Sequence, residues 1–127
     1  AKTLGYDLEE FGREALRADG NIQINSMCTV FAQSEVTSLL ARRQKRGDIA
    51  RGIHMAILNR SISLLKRVST TPEIVFAGGV ARNPCLRHLL GENLGEKIIV
   101  PPNPQIIGAY GASLIAGEQI KNVFRNS

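Results

Sequence analysis

One short segment constrains the fold of this chain more than any other: the apolar run Ile74-Val75-Phe76-Ala77, followed directly by Gly78-Gly79. The run is too short for a helix and rich in β-branched and aromatic residues, which predicts a strand buried on both faces. The two glycines permit backbone conformations that other residues resist, and they leave room for a ligand near the main chain. The segment therefore predicts a strand that ends in a tight glycine turn.

A helix is predicted directly after this turn. Asn83 is a favoured N-cap residue, and Pro84 suits the first helical position because the N–H that it lacks would have no partner there. The free N–H groups and the positive dipole end of such a helix attract anions such as a nucleotide phosphate. A plain tight turn is the alternative interpretation, since Gly-Gly between a strand and a helix is a weak motif by itself.

The remaining second half of the chain alternates in the same way. Residues 97–100 are predicted to form a second strand, residues 101–104 a rigid proline connector, and residues 105–117 a helix of small residues. Such a helix is expected to approach another backbone or a ligand closely, because each glycine costs it about 1 kcal/mol. The order predicts an α/β fold with helices packed on a small β-α-β-α parallel unit, and ligands of such sheets lie beyond the carboxyl ends of the strands.

The first half of the chain is predicted to be helical. Asp7 and Glu10 have the spacing of a capping box, and Gly47-Asp48 is predicted to cap a long helix from residue 49 to about 68. Between them, a helix is expected from Cys28 or Ser34 to Arg43. In that helix, we expect Glu35 to point outward and an apolar set to point inward, namely Phe31, Val36, Leu39 and Leu40.

Charge and hydropathy exclude several classes of protein. Neither a membrane span nor the apolar core of a signal peptide is present in the sequence, so we expect a cytoplasmic protein with no membrane partner. The net charge is +5, and half of the 16 basic residues lie between Arg42 and Arg67. No aromatic residues are interleaved with the cluster at 42–46 to stack bases, so we interpret it as a solvated helix end and do not expect a nucleic-acid partner. A nucleic-acid module remains the third-ranked hypothesis.

The cysteines and histidines do not form a metal motif. Cys28 and Cys85 have neither CxxC spacing nor a histidine at ligand spacing, and an ordinary cysteine in a cytosolic chain is a buried, reduced thiol. His54 lies on or beside the apolar stripe of the long predicted helix. A packed, hydrogen-bonded histidine is the favoured interpretation there, ahead of a metal ligand.

Three stretches together resemble a known family. Residues 74–83 and 104–114 resemble the C-terminal half of ATPases of the acetate kinase, Hsp70 and actin superfamily, in which the first stretch is the adenosine motif and the second the connecting helix at the hinge. Ile-Asn-Ser-Met-Cys-Thr-Val-Phe-Ala-Gln-Ser-Glu-Val at 24–36 is similar to one family, the BadF/BadG/BcrA/BcrD-type ATPases. Its members are activators of 2-hydroxyacyl-CoA dehydratases and ATPase subunits of benzoyl-CoA reductase.

The resemblance implies a fold and a nucleotide site. Residues 1–127 would form the C-terminal, ribonuclease-H-like lobe of an actin-like ATPase domain, as a fragment of a longer chain whose N-terminal lobe is missing here. The nucleotide would be ATP or ADP with Mg²⁺. Gly78, Gly79 and Asn83 would lie at the adenosine and its phosphates, and Gln105 and Ile106 near the adenine or ribose.

The resemblance also implies electron transfer. A homodimer, or a pair of related subunits, would share one [4Fe–4S] cluster with Cys28 as a ligand, and ATP would drive an electron to an acceptor dehydratase or reductase. The family's first cluster cysteine and its Mg²⁺-binding acidic residue are expected upstream of Ala1, so we expect the isolated chain to be inactive. Cys85 would be structural, and Glu35 would lie near the dimer contact or cluster, or at an exposed position. An iron-free, sugar-kinase-like or regulatory ATP-binding lobe is the alternative.

Overall fold

The computed structural model of the chain describes residues 1–25, 29–68 and 71–125. Within these ranges, three helices precede a β-α-β-α unit, and short 3-10 turns lie at Lys2–Leu4, Gly79–Arg82 and Pro104–Ile106. The helices are α1 (Leu8–Arg17), α2 (Thr29–Ala41), α3 (Arg46–Leu65), α4 (Pro84–Leu94) and α5 (Ile107–Arg125), and the strands are β1 (Ile74–Val75) and β2 (Ile98–Ile99). The predicted α/β fold, with helices packed on a small parallel unit, is confirmed.

The two strands pair in parallel, with Ile74 opposite Ile98 and Val75 opposite Ile99. Both strands are shorter than the predicted four residues. The prediction that the first strand is buried on both faces is wrong for the described structure, because Val75 is 58% exposed. Successive strand residues point to opposite faces, so the core covers only the face that carries Ile74, Phe76 and Ile98.

The core lies where α1, α3 and α4 pack against one another. Burial of their apolar side chains removes them from water, which is the main favourable contribution to folding. The side chains that are most deeply buried in this cluster are Leu4, Ala15, Ile49, Ala50, Leu58, Cys85 and Leu89.

Local capping chemistry places most helix ends. Asp7 forms the predicted capping box with Glu10, and Gly95 ends α4 in a left-handed conformation with φ 66°. The prediction that Gly47-Asp48 caps α3 is wrong, because the N-cap is Lys45. The Asp48 carboxylate instead accepts a hydrogen bond from the Gly20 N–H at 3.0 Å and lies in the first turn, where the helix dipole favours a negative charge.

Helix α2 covers the predicted region but exposes part of its apolar face. Val36 is buried, and Leu39 and Leu40 are half-buried against the core. Phe31 is 69% exposed, so its predicted inward position is wrong for the described structure. Glu35 is half-buried, and its Oε1 accepts a hydrogen bond from the Asn25 N–H at 3.4 Å.

Two apolar surfaces remain uncovered within the described residues. An apolar groove of about 610 Å³ runs between the C-terminal half of α3, β1 and α4, and its lining includes Leu64, Val68, Val75, Val80 and Leu90. Helix α5 packs mainly on the turn that precedes it and exposes Tyr110, Leu114, Ile115 and Ile120. The close approach expected of its small residues is not seen at Gly108 or Gly111, where an added Cβ would meet no atom of the described residues within 4 Å. None of the described helices has the length and apolar composition to cross a bilayer.

Gly52 allows the extended segment before α2 to lie against α3. A Cβ added at Gly52 would come within 2.5 Å of the Ile22 carbonyl oxygen, which belongs to the backbone and cannot rotate away. We expect Gly52→Ala to lower the free energy of unfolding, because overpacking costs about 1–3 kcal/mol and outweighs the gain of up to about 1 kcal/mol in helix propensity. Urea unfolding measures this change.

Gly47→Ala is the matched control on the same helix. The atoms nearest to an added Cβ at Gly47 are the Glu14 carbonyl oxygen at 3.4 Å and the Ala18 Cβ at 3.5 Å, which are ordinary contacts. This variant should be neutral or slightly stabilising. Equal stability of the two variants would contradict the close packing of Ile22 on α3.

Candidate functional site

The glycine turn begins where β1 ends. Gly78 has φ 92° and ψ 170°, a conformation that favours glycine, and Gly79 starts the 3-10 turn that runs to Arg82. A Cβ added at either glycine would meet no atom of the described part of the chain within 4 Å. The turn is therefore open on the side where a ligand would lie.

A short hydrogen bond brings two separate sequence motifs together. The Gly78 N–H donates to the Pro104 carbonyl oxygen at 2.7 Å, and the 3-10 turns at 79–82 and 104–106 pack against each other. Parallel pairing makes this possible, because the chain leaves β1 and β2 at the same edge of the sheet. As a result, Gly78 and Gly79 lie beside the segment that carries Gln105 and Ile106, and both of these side chains are exposed.

The donors available to an anion differ from those predicted. Pro84 has no N–H, and the Leu86 N–H already donates to Asn83 Oδ1 at 3.0 Å, so the start of α4 is largely satisfied internally. The first N–H groups of the 3-10 turn, at Gly79 and Val80, have no acceptor within that turn. The exposed Arg82 adds a positive charge next to them. An anion at this edge would therefore meet the N–H groups of the 3-10 turn in preference to those at the start of α4.

Asn83 is held by hydrogen bonds at both ends of its amide. Its Oδ1 caps α4, and its Nδ2 lies 2.9 Å from Nε2 of His54, a residue of α3. The Nδ1 of His54 lies 2.7 Å from the Ala50 carbonyl oxygen, which can only accept, so the proton is on Nδ1. His54 is fully buried with its ring against Phe11, at a centroid distance of 4.5 Å. The interpretation of His54 as a packed, hydrogen-bonded histidine is confirmed.

Burial lowers the pKa of His54, although the hydrogen bond to the Ala50 carbonyl opposes part of that effect. A proton on Nε2 would also face the donating amide of Asn83. His54 is therefore neutral at physiological pH.

The predicted cluster ligand, Cys28, lies outside the described residues. Cys85 is fully buried, and its burial raises the pKa of the thiol even though Arg51 acts in the opposite direction. A protonated, buried thiol is a poor metal ligand, which agrees with a structural role for Cys85. In the part of the chain that the structure describes, no three His, Cys, Asp or Glu side chains come together in a set that could hold a metal ion.

Comparison with known sequences decides the family. Residues 1–116 match the BadF/BadG/BcrA/BcrD ATPase family. The chain belongs to this family. One relative is a 2-hydroxyisocaproyl-CoA dehydratase activator of Clostridioides difficile, which is 40% identical over 95% of this chain and 46% of the relative. Another is the (R)-2-hydroxyglutaryl-CoA dehydratase activating ATPase of Acidaminococcus fermentans, which is 42% identical over 87% of this chain and 41% of the relative.

A solved structure agrees with this assignment. The activator of the 2-hydroxyisocaproyl-CoA dehydratase from Clostridium difficile, solved with bound ADPNP, superposes on the whole chain with a TM-score of 0.85 and 38% identity. The match covers 47% of that structure. The actin-like ATPase fold of this family member is thereby confirmed, and the chain spans less than half the length of the relatives that it matches.

Sequence reasoning missed two contacts near this region. The hydrogen bond between His54 and Asn83 joins residues 29 positions apart, and no local pattern indicates it. Arg46 belongs to the cluster predicted to be solvated, yet its Nη1 donates to the Leu4 carbonyl oxygen at 3.0 Å and its guanidinium lies 5.1 Å from the Tyr6 ring centroid. Both contacts depend on tertiary packing.

The lowered pKa of His54 predicts a pH-dependent stability. Below about pH 6.5 the unfolded chain takes up a proton on His54 that the folded chain resists, so the free energy of unfolding should fall as the pH falls. Above that pH, protonation of His54 takes nothing from the free energy of unfolding. Below it, the free energy of unfolding can fall by up to about 1.4 kcal/mol per pH unit. His54→Gln should remove this component in urea unfolding measured between about pH 5 and 8.

His88→Gln is the matched control, because His88 is the only other histidine of the chain and is exposed on α4. That variant keeps His54 and should keep the acid-dependent loss of stability. An unchanged pH dependence in the His54→Gln variant would show that another group is responsible.

Proposed function

We propose that this chain is the nucleotide-binding half of an ATP-dependent [4Fe–4S] electron donor that activates an enzyme of the 2-hydroxyacyl-CoA dehydratase type. One observation carries the nucleotide part of the proposal, namely the Gly78 N–H bond to the Pro104 carbonyl at 2.7 Å. That bond gathers both family motifs at one open edge of the sheet. Membership of an ATPase family and the ADPNP in the similar activator structure support the same reading.

The nucleotide would lie along this edge. The open glycine turn at Gly78 and Gly79 leaves room for the adenosine and its phosphates, and the N–H groups that begin the 3-10 turn can donate to phosphate oxygens. Gln105 and Ile106 are exposed beside the turn and would contact the adenine or ribose. Asn83 would contribute by its position at the end of the turn, since its side-chain amide is already hydrogen-bonded at both ends. Mg²⁺ would accompany ATP and take its protein ligand from outside this chain.

Gly79→Val tests the nucleotide site. An added Cβ at Gly79 meets no atom within 4 Å among the residues that the structure describes, and Gly79 has no positive φ, so the fold should tolerate the change. The branched side chain would fill the space proposed for the nucleotide, and we expect the affinity for ADP to fall by about tenfold or more, equivalent to about 1.4 kcal/mol. Calorimetry on the full-length protein measures this, with thermal unfolding to confirm that the fold is unchanged.

Gly79→Ala is the control for size at the same position. It should weaken binding less than valine does, because it adds one carbon and no branch. An ADP affinity that is the same in the wild type and in both variants would remove the glycine turn from the nucleotide site.

The iron–sulfur part of the proposal depends on Cys28. A cluster would supply a low-potential electron, and cysteine thiolates are its usual protein ligands. This chain can offer one such ligand at most besides the buried Cys85, so further cysteine ligands would come from outside these residues. We propose, as the family resemblance implies, that a homodimer or a pair of related subunits shares the cluster.

Cys28→Ser tests the ligand assignment. In the full-length protein, purified without oxygen, we expect this variant to lose the iron and the visible absorbance of the cluster. Cys85→Ala is the matched control, because Cys85 is buried in the core and should not affect iron content. Full iron content in the Cys28→Ser protein would favour the iron-free, sugar-kinase-like or regulatory alternative.

The uncovered apolar surfaces support a larger assembly. The apolar groove and the exposed apolar side chains of α5 are typical of surfaces that contact another domain or protein. We propose that an N-terminal lobe of the kind found in full-length relatives supplies this cover and completes the nucleotide cleft. The acceptor enzyme is proposed to be a dehydratase first, because both relatives named above activate dehydratases, and a benzoyl-CoA reductase type enzyme second. We place the assembly in the cytoplasm.

A further inference from the structure

A buried histidine reaches the proposed nucleotide turn from the core. His54 is fully buried in α3 among apolar side chains, and burying a polar ring costs free energy unless its nitrogens are hydrogen-bonded. Both nitrogens are paired, Nδ1 with the Ala50 carbonyl at 2.7 Å and Nε2 with Asn83 Nδ2 at 2.9 Å. The first bond stays within α3, whereas the second crosses to the segment that carries the site.

Asn83 connects His54 to the glycine turn. The residue stands between the 3-10 turn and α4, and its backbone N–H donates to the Val80 carbonyl at 2.9 Å, which closes the turn. Its side-chain oxygen caps α4 through the Leu86 N–H. Because the oxygen is committed to the cap, the amide presents its N–H to His54. One side chain therefore ties the end of the turn, the start of α4 and the middle of α3 together.

Helix α1 holds the same residues from the other side. Phe11 packs against the His54 ring, and the missing side chain of Gly12 lets α1 approach Asn83 and Pro84 closely. A Cβ added at Gly12 would lie 2.9 Å from Pro84 Cδ and 3.0 Å from Asn83 Oδ1. Asn83 thus has little freedom to rotate, whereas side-chain space at Gly78 and Gly79 is open within the described residues.

We propose that His54 is a positioning residue for the nucleotide turn, acting through the amide of Asn83. The inference rests on the proposed function, in which that turn binds the nucleotide. The turn is then fixed at its two ends, by the Gly78 bond to Pro104 at the first and by the His54–Asn83 bond at the second, while its middle stays open for the ligand.

Capping alone does not require this arrangement. Serine and aspartate cap a helix about as well as asparagine, but an ionised aspartate has no proton to donate, and a serine hydroxyl at this position is too short to cap the helix and also reach the imidazole. A leucine at position 54 would fill the core without a polar group. The hydrogen-bonded pair therefore restricts the segment to one conformation. A binding loop that is already ordered avoids the free-energy cost of ordering when the ligand binds.

Three variants of the full-length protein separate positioning from stability. His54→Leu removes the acceptor for Asn83, Asn83→Ser keeps the cap but cannot reach His54, and His54→Gln offers a side-chain oxygen to Asn83 in place of Nε2. Two readouts are used: the affinity for ADP by calorimetry, and amide hydrogen exchange over residues 79–87 without nucleotide.

We expect His54→Leu and Asn83→Ser each to speed exchange in this segment and to weaken ADP binding by about 3- to 10-fold, the worth of one hydrogen bond. The double variant should bind ADP no more weakly than the single variant of lower affinity, because each single substitution already removes the same hydrogen bond. His54→Gln should restore most of the affinity. Leu58→Ala, a buried change further along α3, is the control: it should lower the melting temperature and leave the ADP affinity of the folded protein unchanged.

Each other outcome also decides the question. Normal exchange and normal affinity in a less stable His54→Leu protein would overturn the inference, since His54 would then act like Leu58. If that variant does not fold, a loss of affinity in Asn83→Ser together with a normal His54→Gln protein would support the inference, and the reverse would contradict it. If the wild type fails to bind ADP, the proposed function fails, and the exchange rates alone then decide whether His54 fixes the turn.

Discussion

The arrangement of this lobe depends on the hydrogen bond from the Gly78 N–H to the Pro104 carbonyl, at 2.7 Å. The two-residue strands give the sheet little extent of its own, and this bond continues the connection between the two chain segments beyond the strands. It joins a turn that only glycine adopts readily to a connector stiffened by prolines. The absence of side chains on the glycine side leaves the edge open, and the prolines on the other side restrict the backbone of the connector.

The elements of this chain that local chemistry governs could be predicted from the sequence. The capping box of Asp7 and Glu10 and the Asn83–Pro84 helix start both follow from bonds within a few residues of one another. Positions decided by contacts across the fold could not be predicted in this way. Asp48 has the chemistry of an N-cap but bonds to Gly20, and Phe31 and Val75 are apolar but exposed, because nothing within the described residues covers them.

The site shows the same division. The sequence motifs predicted that Gly78, Gly79, Gln105 and Ile106 would serve one ligand, and the fold brings these residues to one edge. Their roles toward a nucleotide remain predictions, as does the role of Cys28, which lies outside the described residues. Neither periodicity nor motif could indicate that Asn83 bonds to His54, because the two residues lie on separate elements and meet only once α1, α3 and α4 have packed.

Helix α5 has a practical consequence for anyone who handles this lobe in isolation. The helix stands away from the core and carries Tyr110, Leu114, Ile115 and Ile120 exposed to water. An apolar surface of this kind favours self-association as the protein concentration rises. The net charge of +5 opposes that tendency through mutual repulsion, and added salt weakens the repulsion. The solubility of the lobe therefore depends on the balance between apolar attraction through α5 and electrostatic repulsion from its net positive charge. Low ionic strength favours the monomeric, dispersed protein.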